Sequence, residues 1–134
     1  MRRILHTMLR VGKLDRSLHF YTHVLGMKVL RTLDQAEEKY SLTFLGYANE
    51  ADSAVLELTY NYGISEYEIG NAYGHMAIGV QNIQQAYEDI KSRGGVFSLD
   101  PLRLKGGDET IAFLSDPDGY QIELIERPDA WFIL

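Results

Sequence analysis

The 134-residue chain contains no cysteine. Disulfides and thiolate ligands are thereby excluded, and any metal must be held by nitrogen and oxygen. No run of about 18 apolar residues is present, so no membrane-spanning helix is expected. Arg2 and Arg3 are followed by no long apolar stretch, which argues against a signal peptide and makes the cytoplasm the expected location. Positive charge is also scarce: 13 Lys and Arg stand against 19 Asp and Glu, for a net charge of -6. The basic residues are scattered and form no stripe with aromatic residues, so nucleic acid is not an expected partner. What remains, 46% apolar and 24% charged residues, is ordinary for a soluble globular protein of one domain or two small modules sharing a core.

The chain reads as one half written twice. His6, Val11, Leu14, Tyr21, Phe44 and Leu45 return 69 residues later as His75, Val80, Ile83, Ile90, Phe113 and Leu114. The offset falls to 66 for Leu56-Glu57-Leu58 and Ile122-Glu123-Leu124, so three residues are missing between two strands of the second half. The turn Ser115-Asp116-Pro117-Asp118-Gly119 is the expected place for that loss, because hairpin tips tolerate changes of length.

Each half has the same order of elements. A strand at Leu5 to Val11 precedes a helix with Asp15 as N-cap, Leu18, Tyr21, Val24 and Leu25 as its apolar stripe, and Gly26 as its stop. Strands are expected at Met27 to Leu33, Tyr40 to Tyr47 and Ser53 to Tyr60. In the second half the strand is Gly74 to Val80, Asn82 caps a helix ended by Gly94-Gly95, and strands follow at Val96 to Ser98, Thr110 to Leu114 and Gln121 to Glu126. The expected fold is α+β: two tandem βαβββ modules within one domain, residues 1–61 and 74–127, with a linker at 62–73 and a C-terminal tail at 128–134.

The repeat puts His6 and His75 on the first strand of each module and Glu57 and Glu123 on the last. If equivalent strands pair equivalently, each module brings one imidazole to one carboxylate, and together the modules supply a His2Glu2 set. Two carboxylates would neutralise a divalent ion, which lowers the cost of burying it. Taken singly, each residue also has a plain structural explanation, and alternation could turn either glutamate to solvent. The coincidence of all four with the repeat favours the metal. Arg10 lies four residues after His6 and Asn61 four after Glu57, so strand period places both on the ligand face. Their counterparts are Gly79 and Arg127. The planar fork of Arg10 suits a carboxylate. Lys105-Gly106-Gly107 is a basic, flexible loop with exposed backbone donors for an anionic substrate.

These segments resemble the bacterial lactoylglutathione lyases, or glyoxalase I, of the vicinal oxygen chelate superfamily. The likeness runs from Leu5-His6-Thr7-Met8-Leu9-Arg10-Val11 through Glu57-Leu58-Thr59-Tyr60-Asn61 and Tyr73-Gly74-His75 to Asp116-Pro117-Asp118-Gly119-Tyr120 and Ile122-Glu123-Leu124. The resemblance implies sheets curled around a metal site and a homodimer with its sites at the subunit interface. There His6 and Glu57 of one chain would meet His75 and Glu123 of the other. It further implies that Arg10 and Asn61 hold the glutathione portion of the substrate, with His75, Lys105 and Gly106 also near it. The tail residues Trp131 to Leu134 match no motif.

The implied reaction converts the hemithioacetal of methylglyoxal and glutathione to S-lactoylglutathione through an enediolate, in methylglyoxal detoxification. Glu123 is the expected base and Glu57 the other candidate. One divalent ion per site is implied, Ni²⁺ first, Co²⁺ as an alternative and Zn²⁺ as the main rival, because an octahedral N/O site is less suited to zinc. Competing expectations are a metal-dependent dioxygenase or thiol transferase, and a metal-free drug-binding protein, all of the same superfamily.

Overall fold

The structure, a computed structural model, describes residues 1–132; Ile133 and Leu134, the end of the expected tail, lie outside the described residues. The chain forms two compact units, Met1–Glu68 and Ile69–Leu134. In the first, β1 (His6–Arg10) leads into α1 (Leu14–His19), a π-helical turn at Phe20–Val24, then β2 (Lys28–Gln35), β3 (Tyr40–Gly46) and β4 (Val55–Asn61). In the second, β5 (His75–Val80) is followed by α2 (Ile83–Ser92), β6 (Phe97–Arg103), β7 (Thr110–Ser115), β8 (Gln121–Glu126) and a 3-10 turn at Asp129–Phe132. The sheet orders correspond: β1-β4-β3-β2 and β5-β8-β7-β6. In each, the first strand runs parallel to the last and the other pairs are antiparallel.

Alternation turns one face of each sheet inward, while on the inner strands Phe44 and Val55 of the opposite face are buried as well. Leu9, Leu45, Leu56 and Leu58 are buried with Tyr21, Val24 and Leu25 in the first unit, and Ile122, Leu124 and Leu114 with Ile83 and Ile90 in the second. The opposite face carries His6, Met8 and Arg10 on β1 and His75, Ala77 and Gly79 on β5, where both histidines remain exposed. No described helix is long and apolar enough to cross a membrane.

Three local features depart from the sequence expectations. Asp15 is not the N-cap of α1; that position is Lys13, which makes no side-chain cap bond, and Asp15 sits in the first turn, where its charge complements the helix dipole. Past His19 the helix widens, with the Leu25 amide bonded to the Phe20 carbonyl at 3.0 Å, and it ends at Gly26, at φ +77, across which the Met27 amide bonds back to the Tyr21 carbonyl at 2.9 Å. Finally, β6 extends through Asp100-Pro101 to Arg103 rather than stopping at Ser98. Proline is tolerated because β6 is an edge strand, with one side free of ladder bonds.

The missing three residues are in the expected turn. Residues 47–54 connect β3 to β4, whereas 116–120 suffice between β7 and β8. The shorter connection is closed by the carboxylate of Asp116, whose Oδ1 accepts from the amides of Asp118 and Tyr120, both at 2.9 Å. Gly119 adopts φ +95 at its tip.

Candidate metal centre

The two ladders place the two His-Glu pairs identically. Met8 is in register with Glu57 and Ala77 with Glu123, so each histidine lies two residues before its glutamate's partner and projects on the same face. His6 Nε2 lies 3.5 Å from Glu57 Oε2, and His75 Nε2 lies 3.2 Å from Glu123 Oε1. The glutamate side chains are only 13% and 14% exposed while the imidazoles are 37% and 42% exposed, so each pair presents Nε2 and a carboxylate at the open surface of its sheet. Neither unit adds a third His, Asp or Glu among the described residues. Each unit thus offers two N/O donors, one imidazole and one carboxylate. Two neutral imidazoles and two carboxylates are a suitable donor set for a divalent first-row ion.

Each imidazole is also braced by an aromatic ring. Phe44 on β3 is directly opposite Glu57, and Phe113 on β7 is directly opposite Glu123. The His6 and Phe44 rings meet edge to face with centroids 5.5 Å apart, and His75 and Phe113 do so at 5.1 Å. Sequence subtraction singles out this phenylalanine pair only as matching positions of the repeat.

The two residues expected to reach substrate, Arg10 and Asn61, lie on the expected strands. Arg10 ends β1 opposite Thr59, and Asn61 ends β4 two residues further on, so both share the face of His6 and Glu57. The Asn61 amide donates to the Tyr67 hydroxyl at 3.0 Å, which fixes its orientation. In the second unit the counterpart of Arg10 is Gly79, and the space its side chain would enter is taken by the tail: a Cβ there would lie 3.5 Å from Phe132 Cζ. The counterpart of Asn61, Arg127, bonds Glu109 at 2.6 Å and lies over Trp131. Lys105 and Gly106 occupy the tip between β6 and β7, closed by the Leu104 amide on the Glu109 carbonyl at 2.9 Å. That tip is at the end of the sheet where β5 finishes, away from His75.

Sequence reasoning missed one group on the ligand face. Arg31 on β2 stands opposite Phe44, with its guanidinium 3.7 Å from the ring centroid, and donates to Glu50 through Nε at 2.7 Å and Nη2 at 3.1 Å. The pairing with Glu50 raises the Arg31 pKa and lowers that of Glu50.

Comparison with known proteins agrees with this geometry. Residues 3–124 match the model of the Glyoxalase/Bleomycin resistance protein/Dioxygenase superfamily. A lactoylglutathione lyase of Escherichia coli O157:H7 is 57% identical over 128 residues, covering 96% of this chain and 95% of the relative. A probable lactoylglutathione lyase of Vibrio cholerae is 56% identical over 128 residues, 96% of this chain and 93% of the relative. Among solved structures, glyoxalase I from Zea mays superposes with a TM-score of 0.91 at 48% identity; the match covers 95% of this chain but 45% of the maize chain, which is about twice as long. The trypanothione-dependent glyoxalase I of Leishmania major gives 0.83 at 52% identity, over 94% of this chain and 87% of that one. With two units of matching sheet order, each carrying one His-Glu pair, and these similarities over nearly its whole length, the chain belongs to the lactoylglutathione lyases of the glyoxalase superfamily.

Proposed function

We propose that the protein is a lactoylglutathione lyase that isomerises the hemithioacetal of methylglyoxal and glutathione to S-lactoylglutathione. The observation that carries this reading is the recurrence of a His-Glu pair at 3.5 Å and 3.2 Å in the same ladder position of both units, with Arg10 and Asn61 beside only one of them. His6 and Glu57 of one protomer and His75 and Glu123 of its partner complete one centre in a homodimer. A divalent ion held by these four, Ni²⁺ before Co²⁺ or Zn²⁺, supplies positive charge against the negative charge that builds on the substrate oxygens.

The reaction is an isomerisation in which two protons change place, one between the two carbons and one between their oxygens. Glu123 takes the proton from the carbon bonded to sulfur; the electron pair left behind forms the enediolate, and the same carboxyl returns the proton to the adjacent carbon. The hydroxyl proton of the first carbon passes to the oxygen of the second, so that the first carbon becomes the thioester carbonyl and the second a secondary alcohol. A positioned carboxylate contributes roughly 10² to 10⁴ in rate to such a transfer. Glu57 is the alternative base, since the repeat makes the two carboxylates chemically similar. Arg10 is suited to pairing with a glutathione carboxylate, and Asn61, oriented by Tyr67, can bond its amide groups. Lys105 and Gly106 serve as a secondary anion contact at the hairpin tip. A cytoplasmic setting, where thiols stay reduced, fits the glutathione requirement.

Thioester formation from methylglyoxal and glutathione, followed by ultraviolet absorbance, tests the reading. Activity abolished by a chelator and restored by Ni²⁺ or Co²⁺ is expected; absence of thioester with any divalent ion contradicts it.

A further inference from the structure

The two half-centres are alike in His, Glu and Phe but not in what lies beyond the phenylalanine. Both edge strands carry a bulge at the equivalent point, which shifts Arg31 into register with Phe44 and Leu99 into register with Phe113. The same backbone device therefore sets an arginine opposite the phenylalanine of one unit and a leucine opposite that of the other.

Arg31 has the wrong charge to attract a divalent ion, so recruitment is not its role. Its charge is instead balanced by Glu50, which engages Nε and Nη2 of one guanidinium edge and so fixes the plane of the group. That plane sits 3.7 Å from the Phe44 centroid, and the Phe44 ring in turn meets His6 at an interplanar angle of 80°. The Glu50 end is tied down as well, because Arg3 donates to the Glu50 backbone carbonyl. An imidazole 37% exposed on a strand face has several rotamers open to it unless something beside it is held still.

We propose that Arg31, clamped by Glu50, is a positioning residue that holds Phe44 and through it the His6 imidazole in the metal-binding orientation, making the first His-Glu pair the rigid half of the centre. The pair of the second unit, with Phe113 against His75 and Leu99 in register with Phe113, has no such charged clamp among the described residues and is the half that adapts. Glu123 belongs to that half, which is where a carboxylate that alternates between holding the ion and moving a proton is best placed. This inference rests on the metal role proposed for His6 and Glu57.

The test measures Ni²⁺ and Co²⁺ dissociation constants by chelator competition, on protein whose fold is checked by circular dichroism. Outer contacts to metal ligands are worth about 10- to 100-fold in affinity. Arg31→Leu is expected to weaken binding by about 10-fold, toward the low end of that range because the contact to His6 is indirect. Glu50→Gln should weaken it less, and the double variant no more than Arg31→Leu alone, because the two act as one clamp. Arg31→Lys, keeping a cation over the ring, should recover part of the loss, and Leu99→Ala at the equivalent place should change affinity little. Unchanged affinity in folded Arg31→Leu, or an equal loss in Leu99→Ala, overturns the inference while the parent protein's own metal binding still reports separately on the proposed centre.

Discussion

Removing the Asp116 carboxylate should destabilise the second unit by an amount that the turn itself allows to be worked out. Asp116 is 5% exposed, and its Oδ1 accepts two amides at 2.9 Å, those of Asp118 and Tyr120. Hydrogen bonds to a charged group contribute about 1.5 to 3 kcal/mol each, and a buried donor left without an acceptor costs about 1 to 3 kcal/mol. Tyr120 is buried, so its amide has no access to replacement water, whereas Asp118 is half-buried and its amide is partly rehydrated. Asp116→Ala should therefore cost about 2 to 4 kcal/mol, dominated by the Tyr120 amide. Asp116→Asn keeps an oxygen acceptor in place and should cost about 1 kcal/mol. Urea denaturation checks both, with lowered midpoints at unchanged slope. The turn also sets the start of β8, two residues before Glu123, so thioester formation should fall in the same order. An alanine variant as stable as the parent, or an asparagine variant as unstable as alanine, refutes the role given to this carboxylate.

Three further outcomes are expected. Glu123→Gln, loaded with metal to the parent's occupancy, should lose roughly 10² to 10⁴ in the rate of thioester formation, and Glu57→Gln should lose less at equal occupancy; the opposite order would exchange the roles of the two carboxylates. Gly79→Ala should be tolerated because its Cβ would meet Phe132 at an ordinary 3.5 Å, while Gly79→Arg should expel the tail, seen as a fluorescence change of Trp131, the one tryptophan in the sequence. At alkaline pH, burial of the Tyr47 hydroxyl, which donates to the Leu25 carbonyl at 2.6 Å, pushes its pKa up from 10.0 to about 12 although the ring edge stays exposed. Its stabilising contribution is present below pH 10 and lost as pH rises through 12, so denaturation profiles of Tyr47→Phe should lack that part of the alkaline decline.

The two His-Glu pairs were legible because their placement depends on two regularities that a sequence carries openly, a constant offset and a strand period of two. His6 with Glu57, and His75 with Glu123, follow from those regularities once β1 pairs with β4 and β5 with β8. The hairpin tip at Asp116 was legible for a similar reason, as a change of offset with turn residues at the break. Arg31 was not. A bulge interrupts the alternation along β2, so counting by two does not show its face, and adding 69 leads to Asp100 rather than to Leu99, the residue that occupies its place. The full extent of β6 was hidden by Pro101, whose effect depends on the strand being at an edge. The widened end of α1 was hidden because Tyr21, Val24 and Leu25 are buried whether the backbone bonds skip four residues or five. Local conformation that leaves the apolar pattern intact has no sequence signal of this kind.

The claim that two half-centres on different protomers make one active site is tested most directly by mixing two inactive variants, His6→Ala and His75→Ala, refolding them together and measuring thioester formation. In a mixed dimer one centre carries both substitutions and the other carries neither, so activity should return to about a quarter of the parent's with statistical pairing. No recovery in preparations where native mass spectrometry finds the mixed dimer would contradict the account.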